Sequence, residues 1–476
     1  MLSDWKGPSS VDEKRSKSNR RRFASGVVAF FYRRSGFDAL PIIALGFVGL
    51  ILLGSLLLTL PVASATGVSV PWGDTLFTAT SAVCVTGLVV RDTGTAYSTF
   101  GHVVLLFLIQ MGGLGFMTFA TLIFGLMGRS LSMRERMIMR ESLNEDDMSG
   151  LAALVRWVAK STFTVELAGA MLFAVRLMPA YGPAKGAFFS VFHAVSAFCN
   201  AGFDLFGGGK SLTGYTGDLL INLTAMALVV IGGLGFSTLQ DVLSKRSFRR
   251  FRLHTKLVLV SYGTLLLGGA LIVLVLEWSN PGTLGPLSFP DKLLASLFQS
   301  VTLRTAGFNT IDQAALRDST KLIGGFLMLI GAAPASTGGG IKVTTLAILV
   351  LTVRMVSQGE SSIVVFERRI DRELIQRTVA ITFIAIAVAF VDICALSILQ
   401  PGAAFLDLYY ECVSAVGTVG ISAIGSANLR PLARILIIIT MYIGRIGPLS
   451  MALLFSRRQN RSRELARYPE DRVMIG

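Results

Sequence analysis

The sequence predicts an all-α membrane protein of four tandem repeats, with eight transmembrane helices in a pseudo-fourfold arrangement around a central pore. Three observations lead to this fold class: the composition, the placement of the basic residues, and a short recurring pattern that ends in glycine. Of the 476 residues, 52% are hydrophobic and 15% are charged, and the mean hydropathy is +0.64. Several apolar stretches exceed the roughly 20 residues that cross a bilayer as a helix, and hydrocarbon requires such stretches to be helical.

The basic residues indicate how the chain is oriented in the membrane. The net charge is +15, and the connections 61–73 and 401–407 carry no Lys or Arg. Lys and Arg are concentrated instead in 14–34, 129–140, 245–256, 354–372 and 457–472. This alternation follows the positive-inside rule, so we expect a multi-pass protein of the cell membrane with both termini in the cytoplasm. Basic loops of this kind suit the anionic inner leaflet of the lipid bilayer, and nucleic acid is the poorer partner.

One eleven-residue pattern recurs along the chain and defines the repeats. Residues 77–87 read FTATSAVCVTG, 192–202 read FHAVSAFCNAG and 410–420 read YECVSAVGTVG, with a diverged copy, LFQSVTLRTAG, at 297–307. The final glycines are spaced by 115, 105 and 113 residues. The predicted domains are a basic tail at 1–37, repeats at 38–128, 151–244, 255–356 and 373–456, and a second tail at 457–476.

Each repeat is predicted to have the order span, pore loop, span (M1-P-M2). The first spans are predicted at 39–62, 151–178, 256–278 and 374–399, and the second spans at 101–127, 218–243, 319–356 and 432–455. The apolar stretch between them has about a dozen residues and is too short to cross the bilayer. Because two spans return the chain to the side that it left, all repeats share one orientation. A carrier built from inverted repeats needs an odd number of spans in each.

The residues at the end of each short stretch predict a selectivity filter for a monovalent cation. Non-helical backbone at membrane depth is tolerated where it lines a watery cavity, and rings of carbonyl oxygens can replace the hydration shell of a cation. Glycine reaches the backbone angles that such rings require. One tetrapeptide of this kind is explained equally well by helix packing, whereas four at repeat spacing favour a pore. The predicted filter residues are Val85, Thr86, Gly87, Asn200, Ala201, Gly202, Thr305, Ala306, Gly307, Thr418, Val419 and Gly420.

With these loops at this spacing, residues 38–456 resemble the Ktr/Trk/HKT superfamily of potassium transporters, and in particular its Ktr-type membrane subunits. The resemblance implies a single-chain pore for K⁺, usually within a homodimer that has one pore per protomer. It also implies control by a separate cytosolic ring of nucleotide-binding regulatory subunits. Na⁺ is a candidate activating ion, and no covalently bound cofactor is expected.

The second span of the third repeat is interrupted by GAAPASTGGGIK at 331–342. A proline and three successive glycines should break the helix there. A phosphate-binding loop is excluded because Ile341 separates the last glycine from the lysine. The resemblance implies an intramembrane gating loop beneath the filter, and a kink with packing glycines is the plainer alternative. The predicted gate residues are Gly331, Pro334, Ser336, Thr337, Gly338, Gly339, Gly340, Lys342 and, in the last span, Arg445.

Two arginines are expected inside the membrane, where a charge is costly. Arg445 either pairs with a buried acid such as Glu411 or Asp392, or places a positive charge in the pore that slows cations. The resemblance favours the pore. Arg304 lies three residues before Gly307, so it must point away from the pore axis or pair with an acid.

Other polar and glycine-rich features have structural interpretations beside functional ones. The GGLGF motifs at 112–116 and 232–236 are expected to let helices pack closely against the pore helices. Asp92, Asp204 and Asp312 follow three of the loops, and either form an acidic vestibule that concentrates cations or are solvated loop charges.

The composition and motifs separate several classes of function. An enzyme is disfavoured, since the residues show no metal-ligand spacing and no pairing of a nucleophile with a base. A sodium- or proton-coupled cation carrier is the main alternative to a pore, but such carriers typically contain paired, charged, broken helices. Only one span is expected to be broken here. The sequence therefore predicts potassium uptake through a channel-like pore.

Overall fold

A computed structural model of the chain describes residues 39–115 and 151–447. The predicted tails at 1–37 and 457–476 lie outside these residues, as does the basic connection at 129–140. The last parts of the second spans predicted for the first and fourth repeats also lie outside the described residues.

The described residues form fifteen α-helices and one two-stranded antiparallel hairpin. In chain order the helices are α1 Ala39–Thr59, α2 Trp72–Val83, α3 Thr93–Ala96, α4 Thr99–Leu114, α5 Leu151–Tyr181, α6 Pro183–Phe198, α7 Leu219–Gly233, α8 Phe236–Lys245, α9 Leu253–Glu277, α10 Phe289–Thr302, α11 Asp318–Leu329, α12 Val343–Ser357, α13 Arg372–Leu399, α14 Phe405–Gly417 and α15 Pro431–Ile446. The hairpin pairs β1, Val364–Val365, with β2, Arg368–Arg369. The all-α membrane class is confirmed, and this hairpin is the one small addition in the described chain.

Four long helices, α1, α5, α9 and α13, form the outside of the molecule. Their apolar windows have mean hydropathies of 2.6, 1.4, 2.3 and 2.6, and only 22–39% of each window is buried within the protein. A helix that is apolar all round and still exposed is suited to lipid contact. Each long helix packs against the short helix that follows it, namely α2, α6, α10 or α14. The short helices are largely buried in the core.

The described chain divides into four quarters, each with a long helix, a short helix and a second helix (α4, α7, α11 or α15). Contacts between successive quarters close into a ring. The helix that follows each short helix also packs against the short helix of the next quarter: α4 against α6, α7 against α10, and α11 against α14. The last of these helices, α15, returns to α2. Ion pairs join the same neighbours, with Arg434 Nη1 2.8 Å from Asp74 Oδ1 and Lys321 Nζ 2.7 Å from Asp407 Oδ1. The four short helices therefore surround one common centre.

The second helices of the first, second and fourth quarters end or break at glycines with left-handed backbone angles. Helix α4 ends before Gly115 at φ 81°, and α15 ends before Gly447 at φ 96°. Helices α7 and α8 meet at a 100° bend beside Gly235 at φ 85°. Such angles end helices and are easily reached by glycine. The expectation that only the third repeat has a broken span is therefore wrong, because the second repeat has one too.

The number of helices that can cross a membrane follows from these breaks. Among the described residues, four helices are long and apolar enough to cross, or five if α7 and α8 are counted as one bent span. The eight predicted spans thus stay a prediction.

Glycines within these second helices allow close backbone packing, as the sequence predicts for the GGLGF motifs at 112–116 and 232–236. In three of the four quarters, a Cβ atom on one glycine of the second helix would overlap a carbonyl oxygen at the end of a short helix. That carbonyl belongs to the residue four places before the loop glycine. The contacts are Gly112 with Val83, Gly232 with Phe198, and Gly444 with Val416. The opposing atoms belong to the backbone, so no side chain can move aside to make room for a residue larger than glycine.

Gly232→Ala is expected to lower the thermal unfolding midpoint of the detergent-purified protein, because its methyl group meets the Phe198 carbonyl. Overpacking of this kind typically costs about 1–3 kcal/mol. Gly268→Ala in α9 is the matched control, since no atom lies within 4 Å of a Cβ there. Equal midpoints for the two variants would contradict close packing at Gly232.

Candidate functional site

The four loops that follow the short helices share one unusual backbone conformation. In each loop, the residue two places before the glycine has a left-handed φ although it has a side chain. These residues are Val85 (54°), Asn200 (59°), Thr305 (66°) and Thr418 (51°). The glycines are left-handed too: Gly87 (95°), Gly202 (68°), Gly307 (84°) and Gly420 (95°). Left-handed residues with side chains are uncommon and cost about 1–3 kcal/mol each, so four at equivalent positions make these loops the candidate functional site.

The hydrogen bonds of these loops leave their carbonyl oxygens free. The N–H groups of the residues between the two left-handed positions donate to the preceding short helix: Thr86 to Ser81 O (2.8 Å), Ala201 to Ser196 O (2.8 Å), Ala306 to Thr302 O (3.1 Å) and Val419 to Ser414 O (2.8 Å). Within the described residues, none of the twelve carbonyl oxygens of the predicted filter accepts a hydrogen bond. Alternating backbone handedness turns successive peptide groups in one sense. The loops thus have unused acceptors that suit a cation.

The glycines of the four loops meet at the centre of the ring. A Cβ atom on each would overlap or crowd the backbone of a neighbouring loop: Gly87 at 2.6 Å from Ala201 O, Gly202 at 2.6 Å from Gly307 Cα, Gly307 at 2.9 Å from Val419 O, and Gly420 against Thr86 O. These contacts link the first loop to the second, the second to the third, the third to the fourth, and the fourth to the first. No side chain fits at any of the four positions.

Residues 330–342, called here the intramembrane loop, separate α11 from α12 at the predicted break. The loop closes on itself at a neck, where Gly331 N donates to Ile341 O (2.8 Å) and Ile341 N donates to Leu329 O (3.0 Å). Lys342 Nζ donates to Gly338 O (2.7 Å), inside the loop.

The intramembrane loop lies directly against two of the four loops that are predicted to form the filter. A Cβ atom on Gly338 would overlap Thr305 Oγ1, and one on Gly339 would overlap Thr418 Oγ1. The intramembrane loop also forms hydrogen bonds with the second quarter. Ala333 N donates to Gly233 O (2.9 Å), Phe236 N donates to Ala335 O (2.9 Å) and Thr337 Oγ1 donates to Phe198 O (3.2 Å). Pro334 and Ser336 lie in this tied segment, and Ser336 Oγ donates to Ala333 O (2.6 Å).

Arg445 binds backbone carbonyls and not a buried acid. Its guanidinium donates to Thr337 O of the intramembrane loop at 2.5 Å and also to Gly112 O at the end of α4. The alternative of an ion pair with Glu411 or Asp392 is wrong, because both carboxylates accept hydrogen bonds from serine or threonine hydroxyls instead. Arg445 therefore connects the first and fourth quarters to the intramembrane loop.

Arg304 is fully buried and also binds carbonyls. Its Nη1 donates to Leu327 O (3.1 Å) and Ile330 O (2.6 Å). No acid in the described part of the chain pairs with it. The side chain thus runs from the third filter loop to the end of α11.

The three acids beyond the filter loops hold turns of the outer connections. Asp92 accepts from Gly94 N (3.0 Å), Asp204 from Phe206 N (3.1 Å) and Asp312 from Ala314 N (2.9 Å). Burial, aided by the nearby Asp92 carboxylate, raises the pKa of Asp204 to about 6. Because that carboxyl loses its charge below pH 6, any attraction that it exerts on cations is present at neutral pH and lost on acidification.

With this geometry described, comparisons with known proteins define the class of the chain. Residues 46–464 match the TrkH family, described as cation transport proteins, so the chain belongs to that family. It is accordingly a membrane transporter and not an enzyme. The potassium transporter TrkH from Vibrio parahaemolyticus has a similar fold, with a TM-score of 0.69 at 18% identity over 89% of this chain and 86% of that one.

Individual relatives place the chain among Ktr-type transporters. The Ktr system potassium uptake protein B of Bacillus subtilis is 43% identical over 437 residues, which cover 91% of this chain and 96% of that protein. The potassium/sodium uptake protein NtpJ of Enterococcus hirae is 36% identical over 93% of this chain and 98% of that protein. The Ktr system potassium uptake protein B of Vibrio alginolyticus is 37% identical over 91% and 94% respectively.

Two substitutions in the fourth loop should have different effects on stability. Gly420→Ala is expected to lower the thermal midpoint, because a Cβ there meets Thr86 O and φ is 95°. Thr418→Gly should leave the midpoint unchanged or raise it, since glycine adopts the left-handed conformation without strain. Unfolding of Gly420→Ala at the wild-type temperature would contradict the close contact between the first and fourth loops.

Proposed function

We propose that this chain takes up K⁺ across the cell membrane through a central pore whose selectivity filter is formed by the four loops. The observation that carries the proposal is the ring of four alternately left-handed loops with unbonded carbonyl oxygens. The named potassium uptake functions of the relatives support the choice of ion.

The filter would act by replacing water around the ion. A dehydrated cation loses the hydration shell that it has in bulk water, and carbonyl oxygens from four sides can supply equivalent contacts. One N–H group in each loop, that of the residue just before the glycine, already donates to a short helix, so it does not compete for the acceptors or repel the ion. Each loop has one glycine where potassium channels have two, so we expect fewer ordered sites and weaker rejection of Na⁺. The Enterococcus relative is named for both ions.

The intramembrane loop would be the gate. Gly338 and Gly339 lie against Thr305 and Thr418, so an ion leaving the filter inward meets this segment first. Arg445 holds the loop through Thr337 O and adds a positive charge that opposes cation passage. Opening would require the loop to release the Arg445 bond and the bonds to the second quarter.

The oligomeric state and partners extend the proposal. The apolar stretches and basic loops of the sequence predict eight spans with both termini in the cytoplasm. The resemblance described above implies a homodimer with one pore per protomer and a cytosolic nucleotide-binding regulatory subunit. The "Ktr system" names of the relatives support partner subunits. The basic hairpin β1–β2, with exposed Arg368 and Arg369, offers a cytoplasmic surface where such a subunit could dock.

A sodium- or proton-coupled carrier is the second candidate. The bend between α7 and α8 adds support for it, because such carriers typically contain paired broken helices. Two broken helices are now present, α7–α8 and α11–α12. The pore remains the better proposal because the loops of all four quarters converge on one ring. Uptake by reconstituted vesicles distinguishes the two: a pore needs only a K⁺ gradient, whereas a carrier stops without Na⁺ or a proton gradient.

Gly307→Ser should reduce the preference for K⁺ over Na⁺. The left-handed φ of 84° and the contact with Val419 O leave no room for a side chain, so the carbonyl ring must distort. The measurement is uptake in bacteria that lack their own potassium transport, at equal membrane levels of protein. We expect Na⁺ entry or a half-saturating K⁺ concentration raised about tenfold, if the lost coordination amounts to ~1.4 kcal/mol. Gly268→Ala serves as control, and unchanged ion preference in Gly307→Ser would refute the filter.

Arg445→Gln should open the gate more often. The substitution removes a positive charge and at least one of the bonds to the intramembrane loop. We expect K⁺ flux into vesicles containing the chain alone to rise about tenfold or more, because hydrogen bonds to charged groups contribute about 1.5–3 kcal/mol and about 1.4 kcal/mol is tenfold. Arg176→Gln, at an exposed arginine in α5 that pairs with Asp218, is the control. A flux equal to wild type would exclude Arg445 from the gate.

A further inference from the structure

Arg304 is a buried arginine that the proposed filter and gate do not yet explain. It is fully buried, and its charge is met by the carbonyls of Leu327 and Ile330 and by no carboxylate among the described residues. A buried charge is costly unless hydrogen bonds compensate it, so these two contacts are needed to keep the side chain where it is.

The two acceptors lie at the neck of the intramembrane loop. Leu327 is in the last turn of α11, whose carbonyl end carries the partial negative charge of the helix dipole. Ile330 is the first residue after α11 and forms an isolated parallel bridge with Ile341 across the neck. The guanidinium of Arg304 is therefore attached to the point from which the loop would swing.

The backbone of Arg304 leads into the third filter loop. Thr305 is the next residue, it is left-handed at φ 66°, and its hydroxyl lies against Gly338 of the intramembrane loop. Arg304 and Thr305 thus contact that loop at two separate places, the neck and the glycine segment. A displacement of the neck would therefore change the contacts of Arg304.

The guanidinium also has unused hydrogen-bonding capacity. Within the described chain, Arg304 Nε and Nη2 have no hydrogen-bond partner, and neither does the hydroxyl of the neighbouring Tyr262. A rigid structural support would be expected to have its donors satisfied. Free donors allow the guanidinium to change acceptors as the neck moves.

We propose that Arg304 is a positioning residue that couples the intramembrane loop to the third filter loop, so that gate opening changes cation affinity in the filter. This coupling rests on the proposed filter and gate. It must be reciprocal: if loop opening changes the affinity for K⁺, then K⁺ binding changes the fraction of open loop by the same factor. The planar guanidinium suits this role because it holds two carbonyls in fixed directions, which a lysine ammonium does not.

The test measures loop opening and ion affinity in the same chain. Ser336→Cys, in the intramembrane loop, is introduced together with Cys394→Ser, which removes the exposed native thiol; the other cysteines of the described residues are buried. The rate of labelling by a water-soluble thiol reagent is measured in inside-out vesicles without K⁺ and with saturating K⁺. A control chain with Cys394→Ser and an unchanged Ser336 gives the labelling rate of the remaining native thiols, which is subtracted.

With Arg304 intact, the labelling rate should depend on K⁺. Arg304→Gln should abolish that dependence and change the half-saturating K⁺ concentration about fivefold or more, as expected for the loss of a typical coupling between two sites. Arg304→Lys should restore part of both effects, and Arg176→Gln should change neither. A structural role alone would lower the thermal midpoint while the K⁺ dependence persisted, and that result would overturn the coupling.

The outcomes separate this coupling from the proposed function. If Gly307→Ser loses ion preference while Arg304→Gln keeps the K⁺ dependence of labelling, the coupling is wrong and the filter stands. If Gly307→Ser keeps its ion preference, the filter and the coupling both fail. If neither Arg304 variant reaches the membrane, a labelling rate in the Arg304-containing chain that does not change with K⁺ overturns the coupling, and a K⁺-dependent rate supports it.

Discussion

The structure depends on the direct contact of four backbone loops at the centre of the molecule. The glycines of these loops approach one another so closely that no Cβ atom fits between them. This contact explains why the short helices converge, why the carbonyl ends of three of them are covered by glycines of the second helices, and why each loop contains a strained left-handed residue. A larger residue at any of these points would push a short helix outward and widen the ring.

Positive charges inside the membrane are handled by the same backbone carbonyls. Arg445, Arg304 and Lys342 all donate to main-chain oxygens in or beside the intramembrane loop, and none of them pairs with an acid in the described residues. A carboxylate partner would neutralise the charge, whereas a carbonyl leaves it in place. In the proposed gate these side chains fasten the intramembrane loop, and their positive charge, which no carboxylate of the described residues neutralises, opposes a cation below the proposed filter.

Much of this organisation could be predicted from the sequence, since periodic apolar stretches and a recurring glycine pattern are local signals. The break at 331–342 was also visible in its proline and glycines. The bend beside Gly235 was not, because GGLGF is equally compatible with a continuous apolar helix. The hairpin turn was hidden too: Phe366 and Glu367 are left-handed at 49° and 62°, where Asn-Gly is the usual signal. The acceptors of Arg304 and Arg445 depend on contacts distant in sequence, which no local pattern reveals.

The measurement that tests the ring most directly is the position of a heavy potassium substitute in crystals of the protein. Anomalous scattering from Rb⁺ or Tl⁺ should show a peak on the central axis, coordinated by the carbonyl oxygens of the four loops. That peak should be displaced by K⁺. Peaks confined to sites between the helices, such as the buried Glu166 beside Cys199, with none at the loops, would contradict a cation filter formed by these carbonyls.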